Sequence, residues 1–258
     1  MSKKLIASAV VGLGMAASGS ASALVIGGVD FGAGAINHLE TTTLAETYVN
    51  APGQTLYGYG QVNTVNGNLF YAGGNRLYFT FEYTVDAFSP TAASFKDGTI
   101  NVYLMPNFNL QTQSSSSNLA ASSAGTLWAT LGGHDMNGTV SELDATGFLT
   151  GTSLSFAGAG LLDVMSGVAG IEALDTNTIG DGAGGFADIA LTTSGNNRVL
   201  NSNDDTTGCG TGQAQPGQWC LAGSADLRGD LKVPEPGSLA LAGLGVLGLG
   251  ALRRRKTK

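Results

Sequence analysis

The chain has 258 residues, and only 12% of them are charged, about half the ~25% of an average soluble protein. Glycine accounts for 40 residues, roughly double the usual ~7% share. Two histidines and two cysteines leave little material for a zinc site, an iron–sulfur cluster or a haem, and a net charge of −7 argues against nucleic acid and anionic membranes as partners.

At the N-terminus, Lys3 and Lys4 precede an apolar run over residues 5–17, and small residues follow up to Ala21-Ser22-Ala23. A charged start, a short apolar stretch and an A-x-A site predict a secretory signal peptide, residues 1–23, cleaved after Ala23. The exported domain is then residues 24–232. It keeps five basic and eighteen acidic side chains, a formal charge near −13. Such a surface is soluble, and it would need a cation bridge to hold an acidic polymer.

Strands dominate the domain. Asn66-Gly67 separates residues 61–65 from 68–71 and predicts a hairpin. Over residues 77–87 the pattern alternates, with Leu77, Phe79, Phe81, Tyr83, Val85 and Ala87 on one face and Tyr78, Thr80, Glu82, Thr84 and Asp86 on the other. That is a half-buried strand. Asp97-Gly98 reads as a turn before a second alternating strand with Ile100, Val102 and Leu104 on one face. Residues 111–123, with four consecutive serines, read as a flexible polar loop. Further strands are expected at 127–131, 154–157 and 186–192. Residues 161–174 are ambiguous, since Leu161, Val164, Val168, Ile171 and Leu174 nearly fit a helical stripe that Gly167 and Gly170 weaken. Short strands, Gly/Asn/Asp turns and no βαβ alternation give an all-β domain, a β-sandwich or jelly roll.

Chemistry-bearing patterns are sparse. No G-x-S-x-G, H-E-x-x-H or Walker sequence occurs. G-x-G-x-x-G occurs at Gly180/Gly182/Gly185 and Gly243/Gly245/Gly248 without a flanking βαβ unit, as expected by chance in so glycine-rich a chain. Asp175, Asn177 and Asp181 lie on one Gly-containing loop, with Asp188 downstream and a comparable loop at Asn203-Asp204-Asp205. Calcium, which takes six to eight oxygens, is the one cofactor such a loop suggests. Ile179 and Phe186 stand where an EF-hand needs ligands, and Asp and Asn also shape turns for backbone reasons, so both readings stay open. Cys209 and Cys220 are the only thiols of an exported chain, which predicts one disulfide.

At the C-terminus, Val233-Pro234-Glu235-Pro236-Gly237 breaks the chain. An uncharged stretch, residues 238–252, precedes Arg253, Arg254, Arg255, Lys256 and Lys258. Fifteen helical residues reach only ~22 Å, short of the ~30 Å hydrocarbon core, and the basic cluster would stay cytoplasmic. A sorting signal with transient inner-membrane anchoring is expected, with a permanent span as the alternative.

These three parts, Pro234-Glu235-Pro236, the Gly/Leu-rich stretch and the Arg253–Arg255 cluster, resemble the PEP-CTERM signal of Gram-negative bacteria. The resemblance implies processing by an exosortase and delivery to the cell surface or matrix, usually in bacteria that secrete exopolysaccharide. Tyr57-Gly58-Tyr59-Gly60-Gln61-Val62-Asn63, and the stretch from Asn203-Asp204-Asp205 through Cys209 and Gln218-Trp219-Cys220 to Asp226-Leu227-Arg228, are similar to the flocculation-associated members of that group. That likeness implies a non-enzymatic protein promoting flocculation or biofilm formation with exopolysaccharide or other matrix components. The alternatives are a carbohydrate-binding β-sandwich module stacking sugars on Tyr57, Tyr59, Trp128 or Trp219, and a secreted hydrolase.

Overall fold

A computed structural model describes residues 23–68 and 74–233. Residues 1–22, residues 69–73 with most of the expected second hairpin arm, and residues 234–258 with Pro234, Glu235, Pro236, Arg253, Arg254 and Arg255, lie outside the described residues. The elements are β1 (Val25–Ile26), β2 (Val29–Asp30), β3 (Ile36–Glu46), β4 (Thr55–Gln61), β5 (Thr64–Val65), β6 (Asn75–Phe88) and β7 (Ala92–Pro106). Helix α1 (Ser115–Ser122) follows, then β8 (Thr126–Gly133), β9 (Leu143–Phe148) and β10 (Ser155–Gly167). A 3-10 turn (Ile171–Ala173), β11 (Ile179–Gly180), β12 (Phe186–Ala187), β13 (Ile189–Asn196) and β14 (Leu221–Asp230) complete the elements of the described residues.

The all-β expectation holds, and the strand order adds closure. Strands β3, β4, β6, β7, β8, β10, β13 and β14 pair antiparallel in that order, and β14 returns to β3. The result is an eight-stranded up-and-down barrel. The two layers expected of a sandwich are opposite walls of one closed sheet. Alternating strands look the same in either arrangement; only the pairing of the first barrel strand with the last distinguishes them. Short β9 lies beyond the end of β8 and pairs with β7 and β10.

The alternation on β6 sets the inside and outside. Leu77, Phe79, Phe81, Tyr83 and Val85 point into the main core, as the sequence pattern requires. Ala87 does not follow them: a bulge between Val85 and Ala87 leaves Ala87 exposed and turns Phe88 toward the core. Asp97-Gly98 likewise ends no strand. Asp97 has φ 54°, and the pair forms a bulge inside continuous β7, two residues facing Tyr83 alone. A Cβ on Gly98 would sit 2.0 Å from the Tyr83 ring, so glycine is needed for that close approach. Asn66-Gly67 does form its turn, with both φ positive and Val65 bridged to Asn68.

Residues 161–167 belong to strand β10, not to a helix, and only Ile171–Ala173 turns. Pairing with β8 and β13 on its two sides overrides the near-helical spacing. Residues 111–123 are ordered around α1. Its buried side chains are Ser115, Asn118 and Ser122, a polar stripe that apolar periodicity does not register.

The β1–β2 hairpin plugs one barrel end. Ile26, Val29 and Phe31 join the core, Phe31 stacks on Trp128 at 6.2 Å, and the Trp128 indole N–H donates to the Ile26 carbonyl at 3.0 Å.

The repeated Tyr-Gly of β4 has a packing reason. Tyr57 and Tyr59 point outward, while Gly58 and Gly60 leave room inside for the Phe81 and Phe79 rings, 2.0 and 2.4 Å from where a Cβ would stand. Replacing Gly58 by valine should destabilise the barrel by about 1–3 kcal/mol through overpacking. Urea unfolding should show a lower midpoint with an unchanged slope.

Candidate functional site

On the outer wall, α1 and the loop before β14 pack over β4 and β6 through a polar network. The Asp204 carboxylate accepts from the Ser115 backbone N–H at 2.7 Å and from its hydroxyl at 2.5 Å, so a negative charge meets the positive end of the helix. The Tyr59 hydroxyl lies 2.8 Å from Ser115 Oγ and accepts from the Asn118 amide at 3.0 Å. Asn201 donates to the carbonyls of Leu110 and Gln113, tying the two segments together. Trp219 meets Tyr59 edge-on at 5.4 Å and donates to Ser116 Oγ at 3.0 Å. Cys209 and Cys220 are bridged, with a Cα–Cα distance of 5.3 Å, and Cys220 packs with Tyr48, Leu154 and Leu221. The bridge returns the loop carrying Trp219 to the start of β14.

Beside α1 lies a groove of about 340 Å³. Its floor is Tyr57, Thr80, Glu82, Thr99 and Asn101 of β4, β6 and β7, and its wall carries the Ser116 and Ser123 hydroxyls. Tyr57 is 40% exposed. Tyr59 and Trp128, named above as possible sugar platforms, are buried in the wall and under the hairpin plug. Trp219 is half-buried against α1.

The Asp/Asn loop is held by its own hydrogen bonds. One oxygen of Asp181 accepts from the backbone of Ala183, Gly184 and Gly185 at 2.7–2.9 Å, led by the Ala183 bond, and these hold its carboxyl below the ordinary range. Its other oxygen is 3.6 Å from His134 Nε2, while His134 Nδ1 is 2.7 Å from Asp163. Partial burial disfavours the charged imidazole, but the two carboxylates outweigh it and raise the His134 pKa. Asp175 accepts from the Asn177 amide at 2.8 Å and faces Lys232 at 3.7 Å. Buried Asp188 accepts from the backbone N–H groups of Val164 and Asn177, pinning the loop to β10. All three side chains first named for calcium thus have turn or ion-pair contacts. Among the described residues, His38, Glu40 and Asp226 bring three potential ligand atoms within 4.8 Å of one another. Arg228 Nε sits 3.1 Å from His38 Nε2 there, supplying a cation of its own.

Sequence reasoning passed over Glu46. It ends β3, is 4% exposed and points into the barrel, and its Oε2 has no hydrogen-bond partner. Burial pushes its pKa up from 4.5 to about 8, so the carboxyl is neutral at pH 7. A bulge at Thr42–Thr43, opposite Ser224, shifts the parity of β3 and brings Leu44 and Glu46 inward after Leu39 and Thr41. The one signal in the sequence was a lone acid two residues beyond an inward leucine.

Residues 232–256 match the PEP-CTERM protein-sorting motif. The chain carries an exosortase sorting signal. It is therefore an exported, surface-sorted bacterial protein that an exosortase processes. Neither the curated proteins nor the solved structures yield a match to the chain. The PEP-CTERM match begins two residues after β14 ends, and Leu231 is still in the barrel core. Cleavage near Pro234-Glu235-Pro236 would leave every barrel strand intact. Among the described residues no helix is long and apolar enough to cross a membrane.

Glu46 makes the exported domain sensitive to pH. Its folded-state pKa exceeds its unfolded value, so its contribution is fully present below pH 4.5. It declines from there to about pH 8, because only the unfolded chain has released the proton in that window. Glu46→Gln should flatten this decline, and the difference between variant and parent should grow by a few kcal/mol across the window. Denaturant titrations at pH 4, 6 and 8 would measure it; parallel pH profiles would show that Glu46 is ionised in the fold.

Proposed function

We propose that this exosortase-sorted barrel promotes flocculation or biofilm formation by binding exopolysaccharide, without catalysis, along the groove beside α1. The observation that carries the reading is the groove's make-up. An exposed Tyr57 ring offers a face for a sugar, and Thr, Asn, Glu and Ser side chains around it offer hydrogen bonds to hydroxyls. It joins a surface strand to a helix braced by the Asp204 network, so its walls are fixed before a glycan arrives. The surface-sorting signal supports a site of action outside the cell.

The charge of the exported domain sets a condition on this function. Near −13, it repels an acidic glycan, so either the glycan is neutral or a divalent cation such as calcium bridges the two. In pull-downs with the strain's own exopolysaccharide, Tyr57→Ala with Asn101→Ala should lower retention at least tenfold while leaving the melting temperature within a few degrees. Chelator should release the wild type only if the glycan is acidic. Undiminished retention of the double variant would remove the groove from the account. Normal floc formation in a deletion strain would remove the function.

A further inference from the structure

The barrel interior is not filled. One void of about 60 Å³ lies at mid-barrel, among Leu44, Phe79, Ile100, Val102 and Leu191. A second, of about 50 Å³, continues toward the end opposite the hairpin plug, past Leu56, Phe95, Leu154 and Phe156. Glu46, Leu143 and Thr193 line both, so the two voids adjoin at these side chains. Each is several times the ~10–15 Å³ that one water requires, and the walls are largely hydrocarbon. Apolar cavities of this kind stay dry and accept apolar molecules, and an eight-stranded barrel is just wide enough to hold one small ligand.

Two residues that line this space carry a buried oxygen without a partner, Glu46 (Oε2) and Tyr83 (its hydroxyl). A fold selected for stability alone would place Leu or Met at position 46 and Phe at 83, filling space and leaving no polar group unsatisfied.

We propose that the barrel interior binds one slender apolar molecule bearing a single carbonyl head, with its hydrocarbon chain in the two voids and its head hydrogen-bonded by Glu46, beside Tyr83. The head follows from what the walls offer. At neutral pH the Glu46 carboxyl is protonated and donates, as does the phenol of Tyr83, which burial also keeps protonated. Two donors in an apolar chamber select an acceptor such as a ketone, aldehyde or ester, and disfavour a cation. This site lies inside the barrel, separate from the groove on its outer wall, and does not rest on the glycan reading.

The test titrates the purified protein with 2-decanone, decane and decylammonium, followed by calorimetry and by melting temperature. Saturable one-to-one binding of 2-decanone with a rise in melting temperature is expected, and at least tenfold weaker binding of the other two. Glu46→Gln, whose amide still donates, should stay within threefold of the wild type. Glu46→Met should lose at least tenfold while melting no lower. Independently of any variant, the carbonyl infrared band of bound 2-decanone should move to lower frequency than in hexane. Absence of saturable binding, equal affinity for decane, an unchanged Glu46→Met or an unshifted carbonyl band would each overturn the proposal.

Discussion

Closure of the sheet between β3 and β14 is the constraint on which the other features depend. The seam runs from Leu221 opposite Glu46 to Asp230 opposite Ile36. At one end the Asn37 amide donates to the Asp230 carbonyl across 193 residues of sequence. Without the seam, β3 and β14 would be edge strands with open backbone groups, and the apolar faces of β6 and β7 would lack an opposite wall. With it, a cylinder of fixed width must be filled by whatever the strands send inward. Gly58, Gly60 and Gly98 thin the wall where Phe81, Phe79 and Tyr83 enter. The sealed interior is also what lifts the pKa of Glu46. A seam between distant segments makes folding non-local, and non-local strand pairing is intrinsically slow. The strand that closes the barrel is also the last before the sorting signal.

Much of this was legible in the residues, for physical reasons. Period-two alternation on β6 named its inward residues because one face of that strand is wet and the other dry. The disulfide and the sorting motif were legible because composition and order alone define them. Bulges were not: Asp97-Gly98 looks like a turn from its conformational preferences, and only its partner strand shows that the chain continues past it. Parity shifts of the same kind hid Glu46 and misplaced Ala87. Helix α1 escaped because its buried face is Ser115, Asn118 and Ser122, of which Ser115 and Asn118 are held by hydrogen bonds to Tyr59, Asp204 and Leu110. A hydrogen-bonded interface between segments about ninety residues apart leaves no periodic trace.

The site residues divide the same way. Tyr57 and Tyr59 are neighbours in sequence, yet the strand sends one to the solvent-exposed groove and buries the other beneath α1. Asp175, Asn177 and Asp181 have the composition of a cation loop and the hydrogen bonding of turns, with His134 and Lys232 as neighbours. Exposure and partnering are tertiary properties. They sort candidates that residue type alone leaves equal.

The most direct test of this account is the seam itself. In NMR spectra of the isotope-labelled exported protein, cross-strand contacts should join His38 to Arg228 and Leu39 to Leu227, the pairs that the closed barrel places opposite one another. Amides of β14 should exchange as slowly as those of β6. Missing contacts between β3 and β14, together with fast, edge-like exchange along β14, would contradict closure, and with it the sealed interior around Glu46.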